Sequence, residues 1–402
     1  MDSVEAYLAD ITAAIRPLSA RELPLAEALG AVLADDVTAL RPMPSFDNSA
    51  MDGYAVRAHE TAAASKHNPV VLPVKDEIAA GDTRRHDVVP GSVMRILTGA
   101  PMPAGADAVV PVELTDGGTE QVAITQPVEK GNAVRPAGGD AQPGDLLLRA
   151  GTRLGAVHVA LLAAAGHGAV VARPRPRVTV IATGNELVEP GGGLMPGQIF
   201  ESNAIMLASA AREAGCPAVR HPIVRDDAAA LLAAVQDALG TTDLLITSGG
   251  VSMGGEHDVV KTALSPLGTV RFRRVALQPG MPQGFGTVGA AATPIFALPG
   301  NPVSAYVSFR LFVRPALDAL QGIFAEQAPL GRATLAGPVQ SPPNRRSYLR
   351  GILDASTGQV TPVAGQASHQ LANLARANAL IIVPESVTSL DAGTTVDVLD
   401  LP

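Results

Sequence analysis

The sequence predicts a multidomain protein of α/β and all-β parts, built around a doubly wound three-layer α/β domain. From Val178 onward, apolar strands alternate with glycine turns and helices, which is typical of a doubly wound domain with a parallel sheet. On either side of that stretch, short β-branched runs separated by glycine and proline indicate all-β modules. A chain of 402 residues has room for roughly two to four domains.

An N-terminal helical linker domain is expected from residues 1–40 together with residues 140–172. Apolar residues at helical spacing predict one helix within residues 4–15 and a second within residues 23–32. A further helical segment, Leu154–Gly166, would return to pack on these two helices.

The rest of the chain divides into three predicted modules. Residues 41–139 form an inserted all-β module, residues 173–325 form the α/β domain, and residues 326–402 form a small C-terminal β-barrel. In a doubly wound sheet, ligands bind beyond the carboxyl ends of the strands. The segments expected at those ends are Glu186, Ser248–Gly250 and Pro299–Asn301.

Composition narrows the classes of function. The formal net charge of −8, with no run of basic residues, argues against a nucleic-acid partner. Aromatic residues make up 3% of the chain and Trp is absent, which favours a site built from backbone amides, small residues and carboxylates. The single cysteine, Cys216, permits no intramolecular disulfide. Neither a secretory signal nor a bilayer-length apolar stretch is visible, so we expect a cytoplasmic protein without membrane contact.

The loop after the strand Leu244–Thr247 has the composition of a phosphate cradle. Ser248, Gly249, Gly250 and Ser252 precede Asp258, which stands before a predicted helix. Glycines allow positive φ angles and a close approach of backbone N–H groups to an anion, and Asp258 stands where a divalent metal would be needed. A tight strand-to-helix connection, with glycines present only for packing, is the alternative.

Several other segments carry a specific pattern: Phe46–Val56, Leu97–Val109, Arg135–Asp140, Ala182–Leu187, Glu201–Asn203 and Leu298–Ser304. Together with the Ser248–Asp258 loop they resemble the MoeA and gephyrin E-domain family of molybdopterin molybdenumtransferases, nearly from end to end. The resemblance implies a MogA-like α/β domain. It also implies an enzyme that inserts molybdate into adenylylated molybdopterin with Mg²⁺ and releases AMP.

The resemblance also implies partners and an assembly. The substrates would be adenylylated molybdopterin and molybdate, and the enzyme would be an elongated homodimer. Transient contacts with a molybdopterin adenylyltransferase and with cofactor-accepting enzymes would follow from its place in cofactor synthesis.

Site residues follow from the resemblance, position by position. The residues matched to catalytic positions are Asp52, Thr98, Glu186, Asp226, Asp258 and Arg274, with Asp258 and Glu186 as Mg²⁺ ligands. Those matched to substrate-binding positions are Ser248, Gly249, Gly250, Ser252, Gln278, Gly280, Pro299, Gly300, Asn301, Pro302, Arg350 and Ser368. We expect Asp258 to be partly solvated, and Arg350 and Ser368 could act across a dimer. Taken alone, Asp52 could instead be a plain turn residue, and Asp258 could be a charge that complements a helix N-terminus. Glu186 and Asp226 could each be a helix cap or a solvated loop charge.

Two departures from the family pattern concern charge. Asn185 stands where Asp is expected. In Ala276–Pro282, Gln278 and Met281 stand where many relatives have lysine, while Arg274 matches another basic position. Either backbone amides hold the anion here, or the affinity for substrate or the metal preference has changed.

Two alternatives to the transferase remain open on the sequence. A molybdopterin adenylyltransferase would share the α/β domain but would not need the β-module or the C-terminal barrel. A noncatalytic pterin-binding or scaffold protein would not need the carboxylates at Asp52, Glu186 and Asp258, so those residues favour catalysis.

Overall fold

The computed structural model describes residues 1–251, 258–324 and 331–401. The chain forms two compact units. One comprises Met1–Arg21, Gly30–Val32 and Ala172–Pro402, and the other comprises Glu22–Leu29 and Leu33–Val171. None of the helices in the described ranges has the length and apolar character that a bilayer crossing requires.

Short strands dominate the chain up to Arg173. In order, the elements are α1 (Val4–Ala14), β1 (Arg21–Pro24), β2 (Val32–Leu33), β3 (Val37–Thr38), β4 (Asn48–Ser49), β5 (Gly53–Val56), β6 (Val70–Ile78), β7 (Val93–Ile96), β8 (Ala108–Pro111), β9 (Gln121–Ile124), β10 (Val134–Arg135), β11 (Leu146–Leu148), α2 (Ala156–Ala164) and β12 (Ala169–Arg173). The main sheet has the order β8-β5-β7-β6-β9, in which only the β6–β7 pair is parallel. Its core includes Tyr54, Val110 and Ile124, all fully buried.

The second N-terminal helix predicted within residues 23–32 is wrong. That segment is β1, a 3₁₀ turn at Leu25–Glu27 and β2, and β1 and β2 flank β12 in a three-stranded sheet. Leu25 N–H donates to the carbonyl of Gly168, the residue before β12 (3.1 Å), so a distant segment satisfies a backbone group that a helix would satisfy locally. Gly30, at φ +78°, also interrupts the pattern. Helix α2 packs on this 3₁₀ turn and on β11.

The α/β domain follows. Its elements are β13 (Val178–Ala182), β14 (Leu187–Val188), β15 (Ile199–Phe200), α3 (Asn203–Glu213), β16 (Ala218–Arg220), α4 (Ala228–Leu239), β17 (Leu244–Ser248), α5 (Val259–Leu264), β18 (Val270–Arg274), β19 (Leu277–Gln278), β20 (Pro282–Val288), β21 (Thr293–Leu298), α6 (Pro302–Ser308) and α7 (Arg314–Leu320). A π-helical turn, Phe309–Val313, joins α6 to α7.

The central sheet has the order β16-β13-β17-β21-β20-β18. Strands β16, β13, β17 and β21 are parallel, whereas β20 is antiparallel to both of its neighbours. The expected all-parallel sheet is therefore a mixed one, because the short turn between β20 and β21 can connect only antiparallel strands.

Two hydrophobic clusters confirm the three-layer arrangement. One packs α1, α3, α6 and α7 on one face of the sheet, and the other packs α4 and α5 on the opposite face. Tyr7 of α1 meets Phe312 edge-on, with ring centroids 4.9 Å apart. Helix α1 thus contributes to the core of the α/β domain.

The C-terminal region is a closed barrel, as predicted. Its elements are β22 (Gly331–Leu335), β23 (Val339–Gln340), β24 (Arg346–Asp354), β25 (Gln359–Pro362), α8 (Leu371–Ala375), β26 (Ala379–Val383), β27 (Ser389–Leu390) and β28 (Thr395–Asp400). Strands β24, β25, β22, β28 and β26 pair in that order, and β26 pairs back with β24 to close the ring. Strand β19 adds to β24 in parallel, which brings the loop after it onto the barrel.

Candidate active site

Three parallel strands end at one edge of the central sheet. Ala182, Ser248 and Leu298 are the last residues of β13, β17 and β21 and lie side by side in register. Gly249 N–H donates to the Leu298 carbonyl (3.2 Å), which holds the glycine loop against the end of β21. The segments predicted at the strand ends are therefore neighbours.

The Ser248–Gly249–Gly250 turn needs its glycines. Gly249 and Gly250 have φ angles of +101° and +62°. A Cβ at Gly249 would lie 2.9 Å from the Thr183 carbonyl oxygen, and one at Gly250 would lie 3.0 Å from the Val260 backbone N. The loop therefore packs closer to its neighbours than any other residue type allows. Ser252, also predicted here, lies outside the described residues.

Asn203, the first residue of α3, connects two of the predicted loops. Its Nδ2 donates to the Ser248 hydroxyl (3.0 Å) and to the Gly300 carbonyl (2.6 Å). The preceding Glu201 is 2% exposed and accepts from Ala204 N–H (2.6 Å), which fixes the start of the helix. The sequence marked the Glu201–Asn203 segment as part of the family pattern but gave Asn203 no role. The feature that could have indicated this role is a carboxamide side chain at the start of a helix beside a strand end.

The Pro299–Pro302 loop is joined to the C-terminal region within one chain. Asn301 precedes α6, and Pro302 occupies its first turn. Asn301 Nδ2 donates to the Ser368 hydroxyl (2.9 Å), and Val303 N–H donates to the Ser368 carbonyl (3.0 Å). Ser368 thus reaches the loop of its own chain, without a partner subunit.

Asp226 organises the turn after β13. Its two carboxylate oxygens accept from the Thr183 hydroxyl (3.1 Å) and from Asn185 N–H (3.0 Å). Asn185 Oδ1 accepts in return from Asp226 N–H (3.2 Å). An amide at position 185 serves this reciprocal pair, because its oxygen needs only to accept. Glu186 is exposed, and its carboxylate lies over Gly184, where an added Cβ would be 2.6 Å from Oε2.

Asp258 is more buried than expected. It stands immediately before α5 and is 8% exposed. Its side chain makes no capping hydrogen bond to that helix, so the alternative role for this residue is the interaction of its charge with the helix N-terminus. The described residues contain no group of three His, Cys, Asp or Glu side chains placed to hold a metal. Mg²⁺ coordination by Asp258 and Glu186 stays a prediction.

Asp52 and Thr98 form a pair in the other compact unit. Thr98 donates to Asp52 Oδ1 from both its backbone N–H (2.7 Å) and its hydroxyl (2.8 Å). These two bonds, with a smaller contribution from Arg95, lower the pKa of the exposed Asp52 carboxyl. Asp52 is therefore an ionised, solvent-exposed carboxylate whose Oδ1 is held by Thr98.

A separate group surrounds the loop between β19 and β20. Gly280, at φ +111°, accepts at its carbonyl from Gln283 Nε2 (2.6 Å). Gln278 accepts from Arg345 Nη1 (3.3 Å), and exposed Arg274 donates from Nε to the Met281 sulfur (3.2 Å). The interaction of Arg345 with this loop was not predicted.

Arg350 is a buried charged residue. It is 1% exposed on β24, and its Nη2 donates to the Gly365 carbonyl (2.8 Å) while its buried Nε has no hydrogen-bond partner. Burial lowers its pKa. Its backbone N–H donates to Gln366 Oε1 (2.9 Å), two residues before Ser368.

Known families match the chain in sequence order. The family described as "MoeA N-terminal region (domain I and II)" matches residues 2–166. The family described as "Probable molybdopterin binding domain" matches residues 179–319, and that described as "MoeA C-terminal region (domain IV)" matches residues 332–401. Molybdopterin molybdenumtransferase 2 of Mycobacterium tuberculosis is 46% identical over 400 residues, covering 98% of this chain and 97% of that protein. The chain belongs to the MoeA family.

Other members support the same assignment. Molybdopterin molybdenumtransferase of Bacillus subtilis is 37% identical over 383 residues, covering 93% of this chain and 88% of that protein. A solved structure of the MoeA protein from Pyrococcus horikoshii is 33% identical, with a TM-score of 0.77 and 98% of both chains covered. The MoeA fold therefore extends over nearly the whole chain.

Proposed function

We propose that this chain is a molybdopterin molybdenumtransferase that inserts molybdate into adenylylated molybdopterin and releases AMP in a Mg²⁺-dependent reaction. The chain's assignment to molybdenum cofactor biosynthesis rests on its full-length similarity to proteins named for this activity. The observation that carries the proposal is the Asn203 link between the Ser248–Gly250 turn and the Pro299–Pro302 loop. Two rigid loops at adjacent strand ends form a setting in which two anionic substrates can meet.

The residues would act by positioning rather than by nucleophilic attack. Cleavage of a phosphoanhydride needs alignment and charge neutralisation more than a protein nucleophile. The glycine turn would present backbone N–H groups to the phosphates, while the Pro299–Pro302 loop, fixed by Asn301 and Ser368, would line the molybdate pocket. On the family resemblance, the ionised Asp52 would face the substrate as a hydrogen-bond acceptor.

The donor set at the strand ends fits Mg²⁺. Carboxylate oxygens are its preferred protein ligands, and one or two suffice when substrate phosphates and water complete the octahedron. Asp258 and Glu186 would hold the ion, and their burial differs: Asp258 is nearly enclosed and Glu186 is exposed. When bound, the ion would supply charge neutralisation for the substrate phosphates.

Release of AMP tests the proposal. Purified protein is incubated with adenylylated molybdopterin, and AMP is measured with and without molybdate and Mg²⁺. We expect AMP only when both are present. AMP release that does not depend on molybdate would contradict the proposed transferase activity. Formation of adenylylated molybdopterin from ATP and molybdopterin would instead identify an adenylyltransferase.

We also propose a homodimer located in the cytoplasm, with transient contacts to the adenylyltransferase that supplies the substrate and to the enzymes that accept the cofactor. The family resemblance supports this assembly, although the Asn301–Ser368 bond needs no second chain. Light scattering at micromolar concentration should give twice the chain mass. A monomer with full activity would contradict the dimer.

A further inference from the structure

A buried side-chain amide anchors the loop of residues 278–281. Gln283 is 1% exposed, and its Nε2 donates to both the Gly280 carbonyl (2.6 Å) and the Ser308 hydroxyl (2.6 Å). Ser308 in turn donates to the Ser304 carbonyl of α6 (2.7 Å). The backbone of the loop is therefore fixed to the helix that begins at the Pro299–Pro302 loop.

An arginine contacts each end of this loop. Arg345 approaches from the residue before β24 and donates to Gln278 Oε1 (3.3 Å). Its approach follows from the β19–β24 pairing, which sets Gln278 beside Ser347. Arg274, at the end of β18, donates to Met281 Sδ (3.2 Å).

These two arginines differ from the neighbouring ones in their partners. Arg273 pairs with Asp2 and Asp10, and Arg346 pairs with Glu5 and Glu385. Among the described residues, by contrast, no carboxylate lies within ion-pair distance of Arg345 or of Arg274.

A neutral acceptor leaves a guanidinium with its charge. An amide oxygen or a thioether sulfur orients the side chain but does not neutralise it, and a guanidinium has five N–H donors, of which each contact here uses one. Arg345 and Arg274 therefore keep donors and a full positive charge available beside a rigid loop.

We infer that Arg345 and Arg274 form the cationic part of an oxyanion-binding site at residues 278–281, and that Gln278 and Met281 position them. The charge that many relatives carry on two loop lysines is thus supplied here from neighbouring strands. The inference rests on the proposed function, under which the oxyanion is molybdate. Arg345 becomes a further determinant of molybdate affinity, outside the positions that the family pattern indicates.

Equilibrium dialysis of molybdate tests the site without any turnover, and the molybdate concentration for half-maximal AMP release tests it during turnover. Arg345→Gln should weaken binding about ten-fold, which corresponds to about 1.4 kcal/mol. Adding Gln278→Lys to that variant should restore binding, because the cation returns to the same loop from the other side. Arg271→Gln, an exposed arginine on β18, removes the same charge and should leave binding unchanged.

The outcomes separate this inference from the proposed function. If the wild type binds molybdate and Arg345→Gln weakens binding, the site stands even when no AMP is released. Equal affinity in Arg345→Gln and the wild type, in a folded protein, would overturn it. Loss of binding that Gln278→Lys does not restore would also overturn it, since a structural role of Arg345 would then explain the loss. A wild type that neither binds molybdate nor releases AMP would overturn both.

Discussion

Replacing Asn203 with alanine should separate the two loops at the strand ends. The change removes the donors to the Ser248 hydroxyl and to the Gly300 carbonyl. Ser248 is 3% exposed, so its hydroxyl would lose a partner that water cannot easily replace, whereas exposed Gly300 can bond to water. At about 1 kcal/mol for a typical bond, and somewhat more for a buried group left unpaired, we expect a loss of about 2 kcal/mol in unfolding free energy.

Calorimetry and AMP release measure the two consequences. For a folding unit of this size, about 2 kcal/mol lowers Tm by roughly 4–8 °C. Catalysis should fall more steeply, by about 100-fold, because reacting groups displaced by about 1 Å lose their alignment.

Ser248→Ala is the matched control, since it removes only one of the two bonds. Its effect on stability should be about half as large. The double variant should be less destabilised than the sum of the single variants, by about 1 kcal/mol, because both single changes break the same Asn203–Ser248 bond. Strict additivity would refute the reasoning. So would a Tm for Asn203→Ala within about 1 °C of the wild type, because the expected energy lowers Tm by at least roughly 4 °C.

Three further changes test other parts of the site. Thr98→Val removes one hydrogen-bond donor to the ionised form of Asp52, so the pKa of that carboxyl should rise. The acidic limb of the pH profile of AMP release should therefore move to higher pH, whereas Thr98→Ser should keep the wild-type limb. An unmoved limb in the valine variant would show that Asp52 does not control it. Gly249→Ala should destabilise the protein by about 1–3 kcal/mol more than Gly191→Ala, because Gly191 has a similar φ (+102°) but open space around it. Equal losses of unfolding free energy on chemical denaturation would mean that the close approach to Thr183 has no cost. Asp258→Asn should abolish Mg²⁺-dependent AMP release while Asp237→Asn, on the exposed side of α4, should not, and an unchanged Mg²⁺ titration in the first variant would exclude Asp258 as a ligand.

Local sequence patterns determined the main elements of the fold. The helix predicted within residues 4–15 is observed as Val4–Ala14, and the predicted strand Leu244–Thr247 extends by one residue to Ser248. Hydrophobic periodicity and glycine turns carry this information because they act within a few residues of the chain. The same locality made the glycine turn at Gly249–Gly250 predictable.

Where nonlocal strand pairing competes with a local pattern, the secondary structure predicted from the sequence was wrong. The apolar spacing of residues 23–32 is helical, yet strand β12 supplies backbone partners that a helix would have provided. The segment consequently forms parts of two short strands with a 3₁₀ turn between them. The antiparallel β20 was missed for a related reason, since strand direction depends on which strands become neighbours.

The arrangement of the site depended mostly on tertiary structure. The contacts of Asn203 with Gly300 and of Arg345 with Gln278 were not predicted. The resemblance assigned Ser368 and Asn301 to one site, but it did not indicate the hydrogen bond between them. Burial of Arg350 was equally invisible, because a strand residue becomes a core residue only when the barrel closes around it. The sequence determined which residue types the site would contain and at which strand ends, since those follow from local pattern; their hydrogen bonds and charges were decided by contacts between segments tens to hundreds of residues apart, which only the packed fold specifies.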